Sequence, residues 1–178
     1  MSVMTYIRLR SPLEEAMGRY GRWIGAPEVE PPRLVLERDA IDLSLDDGEW
    51  RGQAVFVYAC GPWTVFDALS VVLDMRSAAD WLKLAGGGDL VFASGNDAIN
   101  YGQVVVIEAG RLIRHCLQDD DHPEDNVDVG RLPEEADRPL EDWIDLMGWV
   151  EEDKDKLDYP DQGWLWIHQF SSPLTDGS

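Results

Sequence analysis

The chain has 178 residues, with 35 Asp and Glu against 15 Lys and Arg, and a formal net charge of −20. That length suits one domain, and eight Trp with 44% hydrophobic residues exclude a wholly disordered acidic chain. The charge argues against a nucleic-acid partner, because a phosphate backbone needs Lys and Arg to displace its counterions.

Val3–Arg10 alternates weakly and reads as a first strand. Ser11-Pro12-Leu13-Glu14 reads as a helix start, with Ser11 as N-cap and Pro12 at the first helical position, opening a helix over Pro12–Tyr20. Ala26–Arg33 holds three prolines and reads as a connector. Leu34–Glu37 and Ile41–Leu45 read as strands, the second with one buried and one wet face. Asp47-Gly48 is a hairpin signal. Gln53–Cys60, a strongly apolar run, reads as a central strand, and Trp63–Phe66 as another.

Ser77 reads as the N-cap of a short helix, Ala78–Ala85, with Asp80 in its first turn and Gly86-Gly87-Gly88 ending it. The glycines follow a helix and lack a Gly-Lys-Ser/Thr ending, so they are no phosphate loop. Leu90–Ala93 is a short strand, and Gln103–Glu108 with Arg111–Leu117 form a hairpin around Ala109-Gly110. Residues 117–139 carry few apolar side chains and read as a long acidic loop. Leu140–Lys156 is the best helix, with Trp143, Leu146, Met147 and Val150 along one face. Trp164–His168 reads as an edge strand and residues 169–178 as a disordered tail. The expected fold is a single α+β domain: a mainly antiparallel sheet with a few packing helices.

Between Gln118 and Asp161, eighteen acids face four bases, so this stretch carries −14 of the net charge. Such self-repulsion must be compensated, either by solvent alone or by a basic partner. The carboxylates best placed for a partner are Asp119, Asp120, Asp121, Glu124, Asp125 and Asp128, with Glu134 and Glu135 behind them. A second candidate is the Gly-bounded connector Ser94–Gly102, where Asn96, Asp97 and Tyr101 would face a ligand, or where Asn and Asp would simply hold an Asx-type turn.

Other chemistry finds no spacing to support it. His115, His122 and His168 have no second ligand at metal distance except Cys116, and strand neighbours point to opposite faces. Counted from Asp119 as an EF-hand loop, the sixth position is Glu124 and the twelfth Gly130, where Gly and Glu are needed. No serine sits in Gly-x-Ser-x-Gly, and nothing around Cys60 would activate a thiolate. The sequence therefore predicts no enzyme, no metal and no cofactor. The start, MSVMTYIRLR, lacks an apolar signal core and no apolar run reaches a membrane span, so a cytoplasmic chain with reduced Cys60 and Cys116 is expected.

Val91-Phe92-Ala93, Asn96-Asp97-Ala98-Ile99, Tyr101-Gly102, the hairpin end Arg111–Arg114, the acidic Pro123–Val127 with Gly130, and the Trp143 helix form a pattern. Over this central third the chain resembles small acidic bacterial immunity-type proteins of polymorphic or secreted toxin systems. The resemblance implies a protein that binds and neutralises a cognate protein toxin, with no catalytic residue; the solvated acidic surface predicts a monomer when free. A basic toxin fits the charge, since complementary fields steer association. The alternative is an intracellular small-ligand-binding or adaptor module using the Ser94–Gly102 loop.

Overall fold

The computed structural model describes residues 3–70, 76–96, 98–136, 143, 145, 146, 148 and 160–170. The first strand, β1 (Val3–Leu9), lies mid-sheet between β6 (Trp63–Ala68) and β7 (Leu90–Asn96). Beyond β7 follow β8 (Tyr101–Glu108), β9 (Arg111–Asp119) and β10 (Val127–Gly130), which ends one side. Beyond β6 follow β5 (Gln53–Cys60), β11 (Gln162–His168) and β2 (Glu28–Leu36), which ends the other. All pairings in this nine-stranded sheet are antiparallel among the described residues. The fold is thus α+β, mostly antiparallel, in one domain.

The apolar runs of β5, β7 and β8 follow from cover on both sheet faces. Helices α1 (Leu13–Ile24) and α3 (Ala78–Ala85) cover one face. There Ile7, Phe66, Phe92, Val105 and Trp166 meet Tyr20, Ile24, Trp81 and Leu84. Tyr20 stacks on Phe66 at 4.6 Å between centroids and Trp81 on Phe92 at 4.1 Å, pairs that stabilise by roughly 0.5–1.5 kcal/mol each beyond their burial. On the opposite face, Tyr6, Ala93, Val104 and Val106 pack with Leu132, Trp143 and Leu146. The β5 end of that face packs Phe56, Tyr58 and Val65 against Ala40, and Leu165 and Ile167 against Leu43 and Trp50. Gly102 is required here, because a Cβ would overlap the Trp143 indole.

Local signals are read correctly where chemistry is local. Ser77 and Asp80 form a reciprocal capping box on α3, and Gly86 ends it in the left-handed region at φ 58°. Asp47 and Gly48, both at positive φ, join β3 (Leu45–Asp46) to β4 (Glu49–Trp50) in a small separate hairpin. Ala109 tolerates φ 46° in the β8–β9 turn because Asp89 Oδ1 accepts its N–H at 2.7 Å, while the Gly110 N–H reaches Gly88 O.

Several expectations need correction. Ser11 does not cap α1; Pro12 takes that position, and Ser11 is buried with its Oγ accepting from Arg19. All of the proline-rich connector but Ala26 and Pro27 is part of β2, whose pairing with β11 slips at Pro31-Pro32 and again at Val29; an edge strand tolerates residues that cannot donate. Ile41 belongs not to a strand but to the single-turn α2 (Ala40–Leu43), which Ser44 closes by donating Oγ–H to Ala40 O at 2.6 Å. The Trp164–His168 run is interior, hydrogen-bonded to both β5 and β2. Residues 117–139 are not one loop: β9 continues to Asp119 and β10 returns along it. The Leu140–Lys156 helix and the tail lie largely outside the described residues; Trp143, Asp145, Leu146 and Gly148 are helical, and Gln169 N–H still donates to Pro27 O.

No disulfide joins Cys60, which is buried, to Cys116, which is half-buried. Four strands separate β5 from β9, about 24 Å at the usual strand spacing, far beyond disulfide reach. Among the described residues no helix is long and apolar enough to cross a membrane.

Candidate functional site at the acidic sheet edge

The eight predicted carboxylates lie on or beside β9 and β10, but they divide into two groups. Asp119 is buried, and its Oδ1 accepts the N–H groups of Asp121 and His122 at 2.9 and 3.2 Å. Its own N–H donates to Asn126 Oδ1 at 2.7 Å. Asp119 therefore shapes the turn after β9, which runs through a 3₁₀ turn at Pro123–Asp125.

Asp128 and Glu135 converge on Arg114, which projects from β9 and is almost fully buried. Arg114 Nη1 donates to Asp128 Oδ1 at 2.7 Å and to Val129 O at 3.1 Å, and Nε donates to Glu135 Oε2 at 3.0 Å. The Glu135 side chain is only 4% exposed, and Oε2 also accepts the Leu132 N–H. Arg131 adds bonds to both Asp128 oxygens at 2.8 and 3.0 Å. Hydrogen bonds from Arg131, then Arg114, hold the Asp128 carboxyl below its ordinary range. One buried guanidinium thus ties β9, β10 and the turn after it together; it withdraws Glu135 from solvent, while Asp128, paired to two arginines, keeps a side chain that is 60% exposed.

The other five, Asp120, Asp121, Glu124, Asp125 and Glu134, are exposed. Asp120 accepts from Asn100 Nδ2, and Asn100 Oδ1 accepts from Trp143 Nε1 at 3.2 Å, so the β7–β8 turn braces this corner. Among the described residues β10 pairs on one side only.

Most of the Ser94–Gly102 segment is strand, with a short exposed turn at Ala98 and Ile99. Ser94 to Asn96 belong to β7 and Tyr101 to β8, leaving a tight turn in which Asn96 Oδ1 accepts the Ala98 N–H at 3.1 Å. Asn96 thus forms an Asx-type turn, Tyr101 is buried, and Asp97 lies outside the described residues.

Sequence reasoning missed an open trough of about 500 Å³ on the α3 side of β8–β10. Leu112, His115, Leu117, Val127 and Val129 floor it, Asp125 stands at one side, and Arg76, Ser77 and Ala78 form the other wall. Period two was the available signal: it puts His115, Leu117, Val127 and Val129 on one face once β9 and β10 pair. Tyr101 OH lies 3.5 Å from Gln103 Oε1, which turns the Gln103 amide nitrogen toward His115 Nε2 at 3.0 Å. That nitrogen donates, so neutral His115 carries its proton on Nδ1.

Burial, and then Arg114, push the His115 pKa down; burial does the same to His168, whose two ring nitrogens have no hydrogen-bond partner. Both rings fold neutral, while the unfolded chain takes up protons near pH 6.5. The unfolded state therefore binds more protons in acid, and stability falls as pH drops through about 6.5 and levels off below the folded values. Melting temperature measured from pH 7.5 to 5 will decline, and His168→Leu will flatten that decline. A profile that is level over this range, or identical in the variant, would contradict the assignment.

Among the described residues no three His, Cys, Asp or Glu side chains are grouped as a metal ion would need. Compared with family models, curated proteins and solved structures, the chain has no match.

Proposed function

We propose that this chain is an immunity-type inhibitor that docks a basic protein toxin on its acidic sheet edge. The observation that carries this reading is the sorting of charge at β9–β10. Arg114 holds Glu135 in the interior and Arg114 with Arg131 offsets the exposed Asp128, while Asp120, Asp121, Glu124 and Asp125 stay in solvent with no arginine partner among the ion pairs of the described residues, on the corner that Asn100 braces. A rigid anionic patch of this kind raises encounter rates with a cationic surface more than it adds affinity. At the opposite end of the sheet, Pro31 and Pro32 remove donors from β2 and close that edge to strand addition. Such a role needs no catalytic group and no cofactor.

Co-expression is the direct functional test. A toxic basic protein encoded beside this reading frame will arrest growth alone, and growth will recover when this chain is supplied with it. Asp120→Asn, Asp121→Asn and Glu124→Gln together will weaken that rescue. Undiminished rescue by the triple variant would remove the acidic corner from the interaction. A melting temperature raised by a metabolite and not by the basic protein would instead favour the small-ligand module.

A further inference from the structure

We propose that the trough beside β10 is the anchor site of this interaction and receives an apolar side chain from a basic polypeptide segment of the partner. The inference rests on the acidic corner being the docking edge, and it identifies the partner chemistry there.

The trough's shape selects the occupant. A small metabolite is held by a concave site that buries most of its surface. This trough is open to solvent along its length, and Val129 on its floor is 49% exposed. An open apolar floor suits one side chain of a larger molecule, which brings its own cover with it. Leu112, Leu117, Val127 and Val129 supply dispersion contacts, and the His115 Nδ1 proton is a donor for a backbone carbonyl of the incoming segment.

The rim sets the partner's charge. Asp125 stands at the trough itself with Arg76 on the opposite wall, and Asp121 and Glu124 on the same exposed turn as Asp125 leave the acids in excess there. A second copy of this chain would bring like charge to like charge, and nucleic acid would bring phosphates, so both are repelled. A lysine- or arginine-rich segment with one apolar residue satisfies rim and floor together. The resulting arrangement, an apolar anchor ringed by polar contacts, is the usual anatomy of an interaction hot spot.

The probes are two synthetic oligolysine peptides of equal length and charge, one with a central leucine and one with a central alanine. Titrated at low salt, the leucine peptide will bind at least about tenfold more tightly than the alanine peptide, the scale of one anchor residue at an interface. Val129→Asp is the deciding variant, because it adds negative charge while it spoils the floor. It will erase the leucine peptide's advantage, and Val127→Thr, which keeps the side-chain shape, will reduce it; circular dichroism will establish that both variants are folded. Equal affinity of the two peptides for the wild-type protein, or a leucine-over-alanine advantage that Val129→Asp leaves undiminished, overturns the anchor. If that equal binding is lost on neutralising Asp120, Asp121 and Glu124, the docking edge stands without the trough. If neither peptide binds, edge and trough both fall.

Discussion

Arg114→Ala will destabilise the protein by about 3–5 kcal/mol, the usual cost of breaking a buried ion pair from one side. The loss is larger than that of one contact. Without the guanidinium, Glu135 keeps a nearly buried charge whose remaining cationic neighbour, Arg131, is 3.8 Å away and mostly exposed. Val129 O loses a donor at the same time. The damage will concentrate at β9–β10, so hydrogen exchange there will accelerate before global unfolding does. Pairing Arg114→Met with Glu135→Leu will recover much of the stability, since removing both charges avoids the stranded carboxylate, although the Leu132 N–H then lacks its acceptor. Urea unfolding checks both variants. A cost below about 1 kcal/mol for Arg114→Ala, the range of exposed pairs, would mean that the guanidinium is solvated and the corner is not built around it.

Removal of residues 162–178 will abolish cooperative folding. The deletion takes away β11, the only strand to which β2 is bonded among the described residues, and turns β5 into an edge. It also removes Leu165, Trp166 and Ile167 from both faces of the core, each of them 5% exposed or less. A buried tryptophan truncated to alanine alone costs about 3–5 kcal/mol, against a typical total stability of about 5–15 kcal/mol. The shortened chain will therefore show no sharp thermal transition. A cooperative transition within a few degrees of that of the intact chain would place β11 outside the folding unit.

The contrast between α3 and β11 explains what the sequence discloses. The capping box at Ser77 and Asp80 lies within four residues, and the Ala109-Gly110 turn within two, so local chemistry announces them. Nothing local says that β11 slots between β5 and β2, because that position is decided by pairing over more than a hundred residues. Pro31-Pro32 looks like a connector until its strand is known to lie at an edge. The internal pairing within the acidic segment was illegible for a related reason. Counting charge treats every carboxylate alike, whereas β9–β10 pairing places Arg114 against Asp128 and buries Glu135, and leaves Asp120 and Glu124 exposed away from that arginine. The trough was hidden in the same pairing, since Val127 and Val129 are four-residue-strand side chains in an acidic run.

Electrostatic steering makes the docking claim measurable through a rate. The association rate constant of this chain with the basic toxin should be followed by stopped flow from about 10 mM to 500 mM salt, across which the screening length contracts from about 30 Å to a few ångströms. The wild-type rate will fall steeply as salt rises, by on the order of 10- to 1,000-fold. The variant Asp120→Asn, Asp121→Asn, Glu124→Gln will start slower at low salt and lose much of the slope, with its dissociation rate little changed. An equal rate for variant and wild type at low salt, with the same salt slope, would contradict the account and leave the exposed carboxylates as a solubilising surface.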